Sequence, residues 1–189
     1  MKKELKHVLM MGLMVLGIGA VTEKAQAAAG VTDTMTVSVT PTVTFSVAIS
    51  SPYASGYDFS NVALSATTVS TKQIVLNATG ATGAEYFGLS ITNTSGGWTP
   101  TASAPGADNF RMAAYFSAGQ PAPATFSAAS NYLATTFSPP AYNLYNQTAR
   151  TAPGAAATNL WLRLEMPTQI TTGGTGAQTM TMTATASGS

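Results

Sequence analysis

TMTVSVTPTVTFSVAI, residues 34–49, keeps one alternating phase along its whole length. Threonine or serine fills the even positions through Ser46. Met35, Val37, Val39, Val43, Phe45, Val47 and Ile49 take odd ones, with Pro41 in the same phase. Successive side chains of a β-strand point to opposite faces, so a period of two marks a strand with one dry face. Proline has no N–H for a ladder and belongs at an edge or a break. The stretch therefore predicts two half-strands, residues 34–40 and 42–49, with the chain changing sheets at Pro41 while its apolar face stays on one core.

The same signature returns downstream. It runs through Ile74–Leu76, Phe87–Ile91, Phe110–Phe116, Leu160–Met166 and Met180–Ala186, with glycine, proline and asparagine clusters between the runs. No helical period competes with it after the first 27 residues. The fold class expected is all-β: an immunoglobulin-like antiparallel β-sandwich of two packed sheets, whose first strand often passes from one sheet to the other. Residues 118–158, rich in Ala, Pro, Ser and Thr, fit least well. They predict an irregular or crossing segment, with short strands at Phe126 and at Tyr132–Phe137.

The first 27 residues have the form of a helical secretory signal peptide. Lys2, Lys3 and Lys6 precede an apolar run over residues 8–21, and Ala25-Gln26-Ala27 supplies a small-x-small cleavage pattern. The apolar run is shorter than the ~20 residues a membrane span needs, and no later segment is long enough. Residues 28–189 then form one domain, secreted to the extracellular space or the cell surface.

Cleavage removes the only histidine, His7, and four of the five lysines. Lys72, Arg111, Arg150 and Arg163 remain against Asp33, Asp58, Glu85, Asp108 and Glu165. With no basic patch, a nucleic-acid partner is not expected. Cysteine is absent, so neither disulfides nor a cysteine nucleophile enter. Without His or Cys there is no zinc ligand set, and the scattered acids form no calcium motif. Cofactors and catalysis are therefore not expected, and the reading is of a protein that is not an enzyme. Glu165 beside Arg163 reads as an exposed cross-strand charge pair.

YDFSNVALSATTVSTKQIVLNATG, residues 57–80, resembles the opening of the ASH (Hydin-type) immunoglobulin-like domains and related bacterial secreted modules. Their pattern is an aromatic-Gly-x-Val-x-x-Gly stretch, a strand, then Asn-x-Gly. Phe59, Val62, Ile74, Leu76, Asn77 and Gly80 stand at comparable places, while Ser60 and Ser65 replace the usual glycines. The resemblance implies scaffolding and binding roles, and it carries no site residues onto this chain.

Two function classes follow. Charged residues make up 8% of the chain, where ~25% is usual, so colloidal repulsion and edge protection are both weak. This points to a self-associating structural subunit of a surface layer, coat or filament, with Met35, Val37 and Val39 available for strand donation to a neighbour. The alternative is an adhesive or carbohydrate-binding module that contacts surface glycans or other surface proteins. Trp98, Tyr142, Asn143, Tyr145 and Asn146 are its candidate contacts, since aromatic rings stack on sugars and tyrosine and asparagine offer polar edges. The same residues also suit packing at the ends of the sheets.

Overall fold

The computed structural model describes Met35 and residues 38–50, 52–93, 95–136, 140–154, 157–171 and 176–188. The expected signal peptide, residues 1–27, lies outside the described residues, as does Val37. The protein is predominantly β, with two sheets and short 3₁₀ turns. The strands are β1 (Ala48–Ile49), β2 (Thr67–Val69), β3 (Ile74–Asn77), β4 (Tyr86–Asn93), β5 (Thr99–Pro100), β6 (Asn109–Phe116), β7 (Ala157–Glu165) and β8 (Met180–Ser187). The larger sheet runs β1-β3-β7-β6-β5, and β2 also pairs with β7. The smaller sheet is the antiparallel pair β4-β8.

Alternation places one face of each long strand in a shared core. Ile74 and Leu76 of β3, Phe87, Leu89 and Ile91 of β4, Phe110, Met112, Ala114 and Phe116 of β6, and Leu160, Leu162 and Leu164 of β7 pack together. Both sheets contribute, and Phe87 and Phe116 bring their ring centroids within 6.1 Å. Each fully buried Leu or Phe stabilises by about 1.5–3 kcal/mol. Without a disulfide, this shared layer carries the fold.

β2 and β3 lie end to end along one side of β7, pairing with Arg163–Glu165 and with Ala157–Leu160 respectively. At the break between them Ser70 is fully buried. Its backbone N–H donates to Leu162 O at 2.7 Å, and its hydroxyl accepts from Leu162 N at 3.1 Å. Lys72 projects into solvent from the turn that follows. Ser60 and Ser65, upstream, both adopt left-handed backbone angles, φ 58° and 61°. Glycine would hold that conformation without a Cβ clash.

The opening stretch departs from expectation. The half-strand 34–40 is not seen, since Met35 and residues 38–40 are not in a strand and the others are outside the described residues. Of residues 42–49, only Ala48–Ile49 pair as a strand, against Asn77 and Leu76. The segment before it is held by single bonds instead. Thr82 N donates to Thr44 O at 2.9 Å, Thr44 N to Thr82 Oγ1 at 2.8 Å, and Ser46 Oγ to Thr79 O at 2.6 Å. Val43 packs where a Cβ on Gly83 would collide with it. The chain reaches the larger sheet only after Phe45, not at Pro41. The chain also divides into two units, one ending at Pro41 and the β-sheet unit beginning at Thr42.

A second departure is the outer face of the larger sheet. Trp161 and Arg163 are buried as well as Leu160, Leu162 and Leu164, so β7 is covered on both sides. The covering comes from residues 118–136. The short strand expected at Phe126 is instead a 3₁₀ turn, Pro123–Ser127. Of that expected at Tyr132–Phe137 only an isolated bridge between Tyr132 and Ala113 is seen, after a 3₁₀ turn at Ala129–Asn131, with Phe137 outside the described residues. Phe126 packs with Ala113 and Trp161 in a small second core. The Arg163–Glu165 pair, expected in solvent, lies beneath this cover. Arg111 Nη2 bonds Glu165 Oε2 at 2.6 Å, Arg163 Nη2 bonds Glu165 Oε1, and Arg163 Nη1 donates to Pro123 O at 2.8 Å. Arg111 also stands 4.3 Å from the Tyr132 ring centroid.

One carboxylate thus serves two covered guanidiniums. Glu165→Ala is expected to destabilise the chain by about 3 kcal/mol, the cost of leaving covered charges unpaired. Lys72→Ala should change stability by less than about 0.5 kcal/mol. Urea unfolding of both variants measures the contrast, and equal midpoints would refute it.

Candidate functional site

The two edges of the β4–β8 pair are unlike. In an antiparallel ladder, alternate residues turn their N–H and C=O toward the partner strand, and the others turn theirs away. On β4 the outward set is Phe87, Leu89, Ile91 and Asn93, and four of its backbone groups have partners from outside the sheet. Phe87 N donates to Gln147 Oε1 at 2.7 Å, and Phe87 O accepts from Gln147 Nε2 at 2.6 Å. Leu89 O accepts from the Tyr145 hydroxyl at 3.0 Å, and Ile91 N donates to Ala134 O at 3.1 Å. The Gln147 amide does what one residue of a neighbouring strand would do.

The register then fixes the other edge. Phe87 faces Ala186, Leu89 faces Ala184, Ile91 faces Met182 and Asn93 faces Met180. These four β8 residues therefore turn their backbone groups away from β4. Among the described residues, nothing pairs with that edge. Their side chains pack against the core yet remain half-exposed.

The aromatic and amide candidates separate into different places. Tyr145 is fully buried, with its hydroxyl on Leu89 O. It is held there by a tight loop in which Asn143, Tyr145 and Asn146 all have positive φ. Asn146 donates to Phe116 O at 3.0 Å. Trp98 is buried in the core cluster and borders an open cleft of about 420 Å³ with Thr92, Ser95 and Thr135. Asn143 is exposed, and Tyr142 is 60% exposed. Tyr142 meets Tyr86 edge-on at 6.4 Å between centroids, and Arg150 lies over Tyr86 at 5.5 Å. Arg150 and Asn146 line a second open cleft of about 450 Å³. The structure therefore does not bring the five residues into one surface patch.

For strand donation, Met35 and Val39 are 81% and 82% exposed.

The described carboxylates are dispersed. Asp58 accepts from Ser60 N, Asp108 from Thr171 N and Oγ1, and Glu165 from the two arginines. Among the described residues, no three of His, Cys, Asp and Glu gather as a metal site, and no helix is long and apolar enough to cross a membrane.

Glu85 is the acid that sequence reasoning passed over. It is fully buried, its Oε2 accepts from Ser46 N at 2.9 Å, and its Oε1 has no partner among the described residues. Its backbone exchanges two bonds with Thr151. Glu85 thus ties the segment before β1 to the start of β4. Burial lifts its carboxyl above the ordinary value, and the Ser46 amide opposes this.

The sign of the pH effect follows. Between the ordinary value of 4.5 and the raised folded value, the folded chain holds a proton that the unfolded chain has released. Stability is then full below 4.5 and falls as pH rises through that window. Glu85→Gln keeps an oxygen for Ser46 and removes the charge, so its unfolding midpoint should exceed that of the parent at neutral pH and lose this slope. Parallel pH profiles for the two chains would contradict the assignment. Gln147→Ala should cost about 2 kcal/mol in the same assay, because it strips partners from Phe87 N and O.

Comparison with known proteins found no matching family model, no matching curated protein and no matching solved structure, so the function is read from these groups alone.

Proposed function

We propose that this chain is a non-catalytic, secreted structural protein, a self-associating subunit of a bacterial cell-surface layer, coat or filament. In this reading residues 1–27 are its signal peptide, and residues 28–189 are one immunoglobulin-like sandwich domain. The observation that carries it is the outer edge of β8, which no strand pairs with among the described residues. A strand edge without charge, proline or cover is a template for another chain. No charged residue follows Glu165 in the sequence, so β8 and its flanks hold no Lys or Glu to repel a neighbour. The left-handed Ser60 and Ser65, at the positions where the resembled secreted modules have glycine, support the immunoglobulin-like reading.

A second reading is an adhesive or carbohydrate-binding module. The exposed Tyr142 beside Tyr86 and Arg150, next to the cleft that Asn146 lines, favours it.

Size-exclusion chromatography and electron microscopy of the secreted chain separate the two. Ordered oligomers whose fraction rises with concentration are expected, with glycan-array silence. A monomer at every concentration, together with sugar binding lost in Tyr142→Ala, would replace the structural reading with the adhesive one.

A further inference from the structure

We infer that the outer edge of β8 accepts residues 35–41 of a second copy of this chain, which add a third strand to the β4–β8 sheet. The inference rests on the self-associating reading and names its contact.

The acceptor is specific. The opposite edge of this sheet is blocked in part, since Gln147, Tyr145 and Ala134 already occupy Phe87 N and O, Leu89 O and Ile91 N. The outer strands of the larger sheet, β1, β2 and β5, are two or three residues long, and β5 contains Pro100. Among the described residues, only β8 offers a long free run, the backbone groups of Met180, Met182, Ala184 and Ala186. Their apolar side chains are half-exposed over the core. A further strand would therefore satisfy N–H and C=O groups and finish covering apolar surface in one step.

The donor matches in pattern. Met35, Val37 and Val39 alternate with Thr36, Ser38 and Thr40, as Met180, Met182 and Ala184 alternate with Thr181, Thr183 and Thr185. Seated beside β8 in either direction, the donor puts its three apolar residues over the core and its hydroxyls on the outer face. Pro41, without an N–H, closes the ladder. Beyond it, residues 44–46 are already bound to residues 79–85 of their own chain. No charged residue stands between Asp33 and Asp58, so the donor, like the acceptor, lacks a repelling group. Each copy carries one donor and one acceptor. The contact is head to tail and generates rings or open chains rather than a closed two-fold dimer.

The chain has no cysteine, so introduced thiols report the contact cleanly. Copies bearing Val39→Cys are mixed under oxidising conditions with copies bearing Met182→Cys, Ala184→Cys or Ala186→Cys. At least one mixture should yield a disulfide-linked dimer, and Tyr142→Cys in place of the β8 thiol should yield none. Oligomers that form without any such dimer overturn the inference and leave self-association standing. A monomeric chain overturns both. Linkage within one chain of a Val39→Cys, Ala184→Cys variant in dilute solution also overturns it, because the segment would then complete its own sheet. Deleting residues 28–41 should shift elution to the monomer, and a peptide of residues 34–41 added to the intact chain should reduce its oligomers at least several-fold. Oligomers indifferent to both would refute the assignment.

Discussion

Each strand edge carries backbone N–H and C=O groups that must find partners, and among the described residues the β4–β8 pair finds partners from outside the sheet along its β4 edge. A two-stranded sheet has two outer edges and no interior strand. On β4, a glutamine amide, a tyrosine hydroxyl and a loop carbonyl stand in for a neighbouring strand. The loop that provides two of them is held tightly, with three consecutive-region residues at positive φ and Tyr145 driven into the core. Its form follows from the edge it serves. Among the described residues, the β8 edge receives no such substitute.

The irregular region between β6 and β7 has a second duty. Residues 118–136 close the outer face of the larger sheet, so β7 becomes an interior strand on both sides. Arg163 on that face then needs a partner beneath the cover. Glu165 and the Pro123 carbonyl supply it, and Arg111 shares the same carboxylate. A chain this poor in charge places three of its charged groups in one covered cluster. With charged residues at 8% of the chain, little electrostatic repulsion keeps two copies apart.

Much of the fold was legible in the order of residues. Alternation located β3, β4, β6, β7 and β8 within a few residues, because one-sided burial imposes a period of two. It also marked residues 34–40 as a half-strand, where Met35 and residues 38–40 are not in a strand. It missed β2 and β5, which are two or three residues long. The polar groups were harder to place. Trp98 and Tyr145 suit a ligand surface in sequence but suit packing better, and the structure puts both in the core. Glu85 carried no signal at all, since its burial comes from Ser46 and Thr151, respectively 39 and 66 positions away in the chain.

The sequence by itself determined the all-β character, the facing of the long strands and the scarcity of charge. These depend on local periodicity and composition, which each segment carries alone. Only the tertiary structure decided which edge is closed and which is open. Edge pairing depends on groups brought together from distant parts of the chain, Gln147 onto Phe87 and Tyr145 onto Leu89. No local pattern encodes a missing neighbour, so the edge of β8 left without a pairing strand among the described residues shows only in the tertiary structure.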